Sequence, residues 1–224
     1  STHRGTLFPY TTLFRSGKKM HAKLPEKGIV GLTYWELGFR NMTNSKRPIN
    51  KVEDFAGLKI RVIPNPINLD WVKALGANPT PMAFPEVYAA LESKALDGQE
   101  NPYSVISANK LFEVQKHLTV TNHVYNPQSV IISKKFWDAL SADEKKLIGD
   151  AAVEAGKYQR QVAREAAGTA LDGLKKAGMQ VTELPAAEMD KLRDNMRPVI
   201  AKYAVSVGQE TVKEIQEELA KARK

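Results

Sequence analysis

The chain has 224 residues, 42% of them hydrophobic, and its 33 Lys and Arg against 25 Asp and Glu give a formal net charge of +8. This length and composition are sufficient for one large domain or two small ones with a hydrophobic core. No apolar run approaches the roughly 18 residues that a transmembrane helix needs, and the absence of Cys excludes disulfides, CxxC redox chemistry and thiolate metal sites.

The positive charge first suggests an anionic partner such as nucleic acid. However, residues 1–25 contain five of the Lys and Arg residues and no acidic residue, which leaves 28 basic and 25 acidic side chains in the remainder. Most of the later charges alternate in sign along helical segments, as on an ordinary solvated surface. The charge distribution therefore predicts no nucleic-acid partner.

The first 16 residues differ in pattern from the rest. Thr-Leu-Phe occurs at residues 6–8 and again at residues 12–14, with no amphipathic period. The string from Pro9 to Ser16 resembles translated sequencing-adapter DNA. We therefore expect residues 1–20 to be a foreign or disordered tail and the gene to be cut at its 5′ end; the alternative is a genuine exposed N-terminal arm.

The remaining chain reads as alternating strands and helices. Short runs rich in β-forming residues predict strands, and apolar residues at helical spacing predict helices. The predicted strands are residues 29–35, 57–63, 118–124, 129–133 and 179–184. The predicted helices are residues 68–75, 85–94, 103–110, 142–177, a helix opened by Pro185, and 209–222. Residues 44–55 are predicted as a loop ending in a helical turn, residues 79–84 as a Pro-rich loop, and Asp97-Gly98 as a turn. This βα order predicts mainly parallel pairing.

The longest predicted helix begins at a capping box, Ser141-Ala142-Asp143-Glu144, in which the Ser and Glu side chains satisfy free backbone N–H groups. From Ala142 to Ala177 an unbroken helix would be about 54 Å long at 1.5 Å per residue. Because that exceeds the size of one small domain, we expect this helix to span two lobes or to bend near Gly168.

Two parts of the chain carry a resemblance to a known family. Residues 79–88 form a Pro-rich segment that runs into a helix, and Leu-Asp-Gly-Gln-Glu-Asn-Pro follows at residues 96–102. Upstream, Gly-Leu-Lys-Ile-Arg-Val-Ile at residues 57–63 reads as a buried strand with an Arg near its end. Together these segments resemble the DctP-type solute-binding proteins of tripartite ATP-independent periplasmic (TRAP) transporters, over roughly residues 24–203.

The resemblance implies an α/β fold of the type II periplasmic-binding-protein class, with two lobes around a cleft and a long connecting helix. It assigns residues 21–37 to a remnant of the first lobe, 38–125 to the second lobe, 126–165 to a return to the first lobe, and 166–224 to C-terminal helices on the second. It also implies that the signal peptide and most of the first lobe are missing from this chain.

Arg61 is the residue expected to bind the solute. A guanidinium presents paired, coplanar N–H donors that match both oxygens of a carboxylate, and it stays charged at any relevant pH. In the resembling family an Arg in this motif forms that bidentate salt bridge. On the residues alone, an Arg paired with a structural carboxylate is the alternative, since buried charges are ordinarily paired.

The resemblance extends the site to further residues. Arg40 corresponds to a second ligand-facing Arg, Phe84 would lay its ring against the solute's carbon frame, and Asn101 would donate its amide to a carboxylate or hydroxyl. Glu100 would accept hydrogen bonds from solute hydroxyls, and Gln128 corresponds to a cleft position on the first-lobe side. The alternatives are core packing for Phe84 and a solvated turn for Glu100.

Trp35 and Glu36 lie just before Arg40 in the sequence. An aromatic residue beside an acid commonly binds a sugar ring: the aromatic ring stacks on the sugar, and the carboxylate accepts hydrogen bonds from its hydroxyls. The pair favours a sugar acid such as a uronate over a plain C4-dicarboxylate. The alternative is that Trp35 is a core residue.

Catalysis has little support in the sequence. There is no GxSxG, HExxH, GxGxxG or P-loop motif. His117 and His123 are spaced for neither face of one helix, and each is expected to be a surface or hydrogen-bonded histidine. The sequence therefore predicts no catalytic residue, no metal site and no cofactor.

The leading interpretation is an extracytoplasmic binding protein, which captures a carboxylate solute such as a uronate or C4-dicarboxylate and delivers it to the membrane permease subunits of a TRAP transporter. The resemblance places the full-length parent in the periplasm as a monomer. One alternative is an α/β enzyme acting on an anionic small molecule, with Arg61 as anchor and Glu100 as general base. Another is a sensor-type binding domain, which differs in its membrane partner and not in its pocket.

Overall fold

The computed structural model describes residues 17–222, without the side chain of residue 222. The strands are Ile29–Asn44 (β1), Lys59–Val62 (β2), Asn78–Pro81 (β3), Gly98–Asn101 (β4), His117–Ser133 (β5) and Gln180–Glu183 (β6). The helices are Pro66–Ala74 (α1), Val87–Glu92 (α2), Tyr103–Ala108 (α3), Lys134–Ala139 (α4), Ala142–Lys176 (α5), Ala186–Val207 (α6) and Gln209–Ala222 (α7). Short 3-10 helices are Leu24–Lys27, Val52–Phe55, Phe84–Glu86 and Leu111–Glu113.

The predicted N-terminal tail falls mostly outside the described residues. Residues 1–16, including the adapter-like string, are not described, whereas residues 17–21 are helical. Lys19 Nζ lies 2.5 Å from Glu214 Oε1 of α7. Residues 17–20 of the predicted tail are therefore ordered and packed on the chain.

The six strands form one sheet in the order β3-β2-β4-β1-β5-β6. β2 pairs in parallel with both β3 and β4, and β5 pairs in parallel with β6. β1 and β4 are antiparallel. The predicted parallel pairing is confirmed for these three pairs, and the sheet is mixed because of the β1–β4 pair.

The prediction of a loop at the Pro-rich segment is wrong for residues 79–81, which belong to β3. In this strand Pro79 and Pro81 lie opposite Ile60 and Val62, and Thr80 lies opposite Arg61. Proline lacks a backbone N–H, so within sheets it is confined to positions such as edge strands, where one side needs no partner. β3 occupies the edge of the sheet, which accounts for its two prolines.

Two further strands differ from the sequence prediction. The turn predicted at Asp97-Gly98 is followed directly by a strand that the sequence does not predict, since Gly98 already belongs to the fully buried strand β4. Gly98 suits that place because a Cβ there would collide with the backbone oxygen of Thr43 on β1. The strands predicted at residues 118–124 and 129–133 are parts of one strand, β5.

Helix α5 confirms the longest predicted helix and its capping box. The N–H of Ser141 donates to Glu144 Oε2 over 2.8 Å, and the N–H of Glu144 donates to Ser141 Oγ over 3.3 Å. These hydrogen bonds with Ser141 lower the pKa of the Glu144 carboxyl. The helix then runs for 35 residues without interruption at Gly168.

The described residues divide into two compact units. Unit 1 contains residues 17–36, 127–160 and 203–222, and unit 2 contains residues 37–126 and 161–202. β1, β5 and α5 contribute residues to both units. Residues 203–222, which the family resemblance assigned to the second lobe, group with unit 1.

Unit 2 contains two hydrophobic core clusters. The first includes Phe55, Ile60 and Val72, none of which is exposed, and extends to Leu192 of α6. The second is built on α2, α3, β5 and the end of α5, with the buried residues Val87, Leu91, Leu96, Ile106, Leu111, Leu118, Leu174 and Met179. Strand β2 contributes Ile60 and Val62 to the first cluster. Among the described helices, none is both long and apolar enough to span a bilayer.

Candidate ligand-binding site

The register of β1 and β4 brings Arg40 and Glu100 to the same face of the sheet. In this antiparallel pair Met42 lies opposite Glu100. Since side chains alternate between faces along a strand, Arg40 shares the face of Met42 and becomes a diagonal neighbour of Glu100. Residues 60 positions apart in sequence are thus placed side by side.

Arg40 and Glu100 form a buried bidentate ion pair. Arg40 Nη2 donates to Glu100 Oε1 over 2.8 Å and to the Glu100 carbonyl oxygen over 2.6 Å, while Arg40 Nε donates to Oε2. The two side chains are only 5% and 4% exposed. The planar guanidinium is therefore matched to a carboxylate of the protein itself.

His123 supports the same carboxylate from β5. Its Nε2 lies 3.2 Å from Glu100 Oε2, and its Nδ1 lies 2.8 Å from Thr121 Oγ1. The ring also packs on the indole of Trp71, with 4.8 Å between centroids. The prediction of a hydrogen-bonded His123 is confirmed. Its partner could not be predicted, because no sequence pattern links residue 123 to residue 100.

Glu100 is held in its ionised form. Burial raises the pKa of its carboxyl, but the hydrogen bonds from His123 and Arg40 outweigh burial and the net pKa is lowered. A general base is most effective when its pKa lies near the working pH. The contacts of Glu100 therefore argue against the alternative in which it acts as the base of an enzyme.

Arg61 lies on the neighbouring strand β2 and is 3% exposed. Its Nε donates to the backbone oxygen of Met82 over 2.9 Å, which fixes the plane of the guanidinium. Within residues 17–222, neither of its terminal nitrogens has a hydrogen-bond partner in the protein. The carbonyl of Met82 was not anticipated from the sequence, since it depends on the chain path after β3.

Arg61 is therefore a buried cation with unused donors. Burial lowers the pKa of its guanidinium; Glu100 raises that pKa and Arg40 lowers it, so all three groups lie within electrostatic reach of one another. A guanidinium nevertheless remains protonated in proteins. A buried charge without an ion-pair partner is unfavourable, and an anionic ligand would remove that cost.

Phe84 lies beside Arg61. The guanidinium carbon is 5.7 Å from the centroid of the Phe84 ring, within the range of a cation–π contact. Phe84 begins a 3-10 helix, as predicted, and with 37% of its surface exposed it is not a core residue. The exposed ring and the guanidinium thus form adjoining apolar and cationic surfaces.

Asn101 belongs to a buried chain of hydrogen bonds on the other face of β4. Its Nδ2 donates to Gln99 Oε1 over 2.6 Å, and Gln99 Nε2 donates to Thr43 Oγ1 over 2.8 Å. Thr43 Oγ1 in turn donates to Gln115 Oε1 over 2.8 Å. The amide that was predicted to donate to a solute therefore donates within the protein in this structure.

The remaining two predicted site residues lie in the other unit. Trp35, 39% exposed, and Gln128, also exposed, belong to unit 1. Arg40, Arg61, Phe84, Glu100 and Asn101 all belong to unit 2. Exposure of Trp35 does not fit the alternative in which it is a core residue.

Other features of the described residues do not suggest a second chemistry. No group of three or more His, Asp or Glu among them could hold a metal ion. A cavity of about 570 Å³ opens in unit 2, with Tyr88, Lys94, Glu113 and Lys116 in its wall. None of the predicted site residues lines that cavity.

The chain matches known proteins over most of its length. The family model described as bacterial extracellular solute-binding protein, family 7 (DctP) matches residues 11–206. The 2,3-diketo-L-gulonate-binding periplasmic protein YiaO of Escherichia coli (strain K12) is 41% identical over 202 residues, which cover 89% of this chain and 62% of that protein. The chain thus spans about three fifths of the length of this curated relative.

Two solved structures are similar in both fold and sequence. A TRAP periplasmic solute-binding protein from Ochrobactrum anthropi has a TM-score of 0.90 and 51% identity, covering 96% of this chain and 68% of that one. The sugar acid-binding protein DctPAm from Advenella mimigardefordensis, solved with galactonate, has a TM-score of 0.90 and 44% identity over 96% of this chain and 70% of that one. These similarities confirm the predicted α/β fold of the type II periplasmic-binding class.

Proposed function

Because the chain belongs to family 7 of the bacterial extracellular solute-binding proteins, we propose that it is the solute-binding component of a TRAP transporter. In this role it captures an organic acid by its carboxylate in the periplasm and delivers it to membrane permease subunits. It binds its solute and does not transform it.

The observation that carries this proposal is the state of Arg61. Its Nε is fixed by the backbone oxygen of Met82, and its terminal nitrogens have no partner among the described residues. The Arg61 side chain is itself buried. A guanidinium held in this way is preorganised for a carboxylate, because little freedom remains to be lost on binding. The paired donors match the two carboxylate oxygens.

The relatives support a carboxylate solute. The names of the Escherichia coli relative and of the Advenella mimigardefordensis structure both refer to sugar acids, 2,3-diketo-L-gulonate and galactonate. Such molecules combine a carboxylate with a hydroxylated carbon chain. They fit the expectation of a sugar acid, whereas another relative of similar identity is named for binding C4-dicarboxylates.

The other predicted residues receive supporting roles in this proposal. Phe84 packs on the carbon chain of the solute beside the carboxylate held by Arg61, and Asn101 offers its amide to a carboxylate or hydroxyl. Arg40 and Glu100 form an ion pair whose opposite charges both act on Arg61. Trp35 and Gln128 remain candidate solute contacts on the strength of the family resemblance.

Isothermal titration with D-galactonate, comparing the unaltered chain with Arg61→Lys, tests the proposal. Lysine keeps the positive charge but lacks the paired N–H donors of a guanidinium. A hydrogen bond to a charged group contributes about 1.5–3 kcal/mol, which corresponds to roughly a ten- to hundredfold change in affinity. The expected result is a loss of that size, with no product detectable after prolonged incubation.

Arg47→Lys provides a matched control. Arg47 also lies in unit 2 and donates to backbone oxygens, those of Asp54 and Ala56, but it is exposed and contacts none of the candidate site residues in these hydrogen bonds. Its variant should bind D-galactonate as the unaltered chain does. Equal affinity of Arg61→Lys and Arg47→Lys would remove Arg61 from the site.

A further inference from the structure

The hydrogen-bonded chain that ends at Asn101 runs entirely through the interior of unit 2. Its members, Asn101, Gln99, Thr43 and Gln115, are each at most 4% exposed. Asn101 and Gln99 lie on β4, Thr43 lies on β1, and Gln115 precedes β5. Each link joins a donor of one side chain to an acceptor of the next. The orientation of one member therefore constrains the orientation of the others.

Two backbone carbonyl groups set the direction of this chain. Gln115 Nε2 lies 3.0 Å from the carbonyl oxygen of Val114 and 3.4 Å from that of Asp97. Because a carbonyl oxygen can only accept, Gln115 must turn its N–H groups to these oxygens and its Oε1 to Thr43. The Thr43 hydroxyl then donates its single hydrogen to Gln115, so on its other side it can only accept.

The same constraint reaches Asn101 through Gln99. Because Thr43 accepts, Gln99 turns its Nε2 to Thr43 and its Oε1 to Asn101. That oxygen can only accept, so Asn101 must turn its Nδ2 toward it. The plane of the Asn101 amide is thereby fixed. Its second N–H and its Oδ1 have no hydrogen-bond partner among residues 17–222, so they remain for a ligand.

The fixed amide of Asn101 lies on the same face of the sheet as Arg61. Strands β2 and β4 are parallel, and Ile60 lies opposite Gly98. Arg61 is therefore beside Gln99, and the alternation of side chains places Asn101 on that face as well. The unpaired donors of Arg61 and the free groups of Asn101 thus adjoin at the carboxyl ends of two neighbouring strands.

We infer that Thr43 and Gln115 are positioning residues for solute binding, which act through Gln99 to fix the orientation in which Asn101 meets the solute. A side chain that is oriented before binding loses less freedom when the ligand arrives. The inference rests on the proposed function, because it requires Asn101 to contact the solute that Arg61 holds. Thr43 and Gln115 are separated from Asn101 by one and two side chains of the chain, respectively.

Replacement of Thr43 tests the inference by titration calorimetry with D-galactonate. Thr43→Val leaves the Nε2 of Gln99 without its acceptor, so that Asn101 is no longer held in one orientation. Binding should weaken by about fivefold, the value of one ordinary hydrogen bond. Thr43→Ser keeps the hydroxyl and should bind as the unaltered chain does. Thr119→Val is the matched control, since Thr119 is also a fully buried strand residue of unit 2 but its hydroxyl has no partner among the described residues.

A double-mutant cycle with Asn101→Ala distinguishes positioning from a general loss of structure. If Thr43 acts through Asn101, Thr43→Val should cause no further loss of affinity in the Asn101→Ala chain. Gln115→Met, which removes the amide but keeps the length of the side chain, should behave in the same way as Thr43→Val. It also decides the question if Thr43→Val fails to fold, as judged by circular dichroism.

Three results would overturn the inference and leave the proposed function in place. They are unchanged affinity in folded Thr43→Val and Gln115→Met proteins, losses that add to that of Asn101→Ala, and unchanged affinity in Asn101→Ala itself. The comparison of Arg61→Lys with Arg47→Lys remains the test of the proposed function in each case. Absence of D-galactonate binding to the unaltered chain would overturn the proposed function, and this inference with it.

Discussion

Unit 2 and unit 1 differ in how far their apolar side chains are buried. In unit 2 the side chains of Phe55, Ile60 and Leu118 are completely buried. Among the described residues of unit 1, no apolar side chain larger than that of Ala is buried, and Leu147 and Tyr158 are 70% and 71% exposed. The cooperative stability of the described chain therefore resides in unit 2.

Helix α5 shows the same difference within one element. Its residues after 160 belong to unit 2, where Leu174 is 1% exposed, and its earlier residues belong to unit 1. The apolar residues recur at helical spacing in both parts. Periodicity thus predicts where a helix forms but not whether its apolar face is covered, because burial depends on what packs against it.

The largest effect should come from truncating a core side chain in unit 2. Phe55→Ala is expected to lower the free energy of unfolding by about 3–5 kcal/mol, since it removes buried area and leaves a cavity. Phe136→Ala in unit 1, where the ring is 55% exposed, should change it by no more than about 0.5 kcal/mol. Urea denaturation of both variants measures the two values. Similar losses would show that unit 1 contributes to the core as much as unit 2 does.

The polar interior of unit 2 should contribute a pH-dependent part of its stability. The pKa of Glu100 is net lowered, so its ionised form stabilises the folded state above the unfolded value of about 4.3, and that contribution is lost as the pH falls through the lower folded value. Glu100→Gln breaks a buried pair and should cost about 3–5 kcal/mol at neutral pH. The difference in unfolding free energy between the unaltered chain and this variant should therefore shrink below about pH 4.

Unfolding at a series of pH values from 7 to 2.5 measures that difference. A gap that stays constant down to pH 3 would mean that the carboxylate of Glu100 is not stabilised in its ionised form. The paired geometry with Arg40 would then contribute only through its hydrogen bonds.

Local signals in the sequence predicted much of the fold. The bounds of α7 and the start of α5 are as predicted, because caps and helical periodicity are properties of neighbouring residues. β4 was missed for the opposite reason. Its sequence, Gly-Gln-Glu-Asn, has no β-forming residue, and it becomes a strand only because β1 and β2 flank it in the sheet.

The candidate site also combines features that local sequence signals predict with features that depend on distant strands. The chemistry of Arg61 follows from its residue type and its place on a buried strand, both of which are readable from the sequence. The engagement of Arg40 by Glu100 depends on strand register across 60 residues, and the contact of His123 depends on a third strand, β5. Pairing of side chains from distant strands has no local signature.

The smallest effect should arise at the start of α5, in unit 1. Ser141 exchanges hydrogen bonds with Glu144, and replacing such a cap by Ala typically costs about 1 kcal/mol. Because residues 142–155 bury no side chain, this loss should appear as faster amide exchange in the first turns of α5, with the amides of β2 unchanged. Ser133→Ala is the matched control, since Ser133 precedes α4 but makes no side-chain capping bond. If Ser141→Ala accelerated exchange in β2 as well, the start of α5 would be coupled to the core of unit 2, and the contrast between the two units would be weaker than their burial indicates.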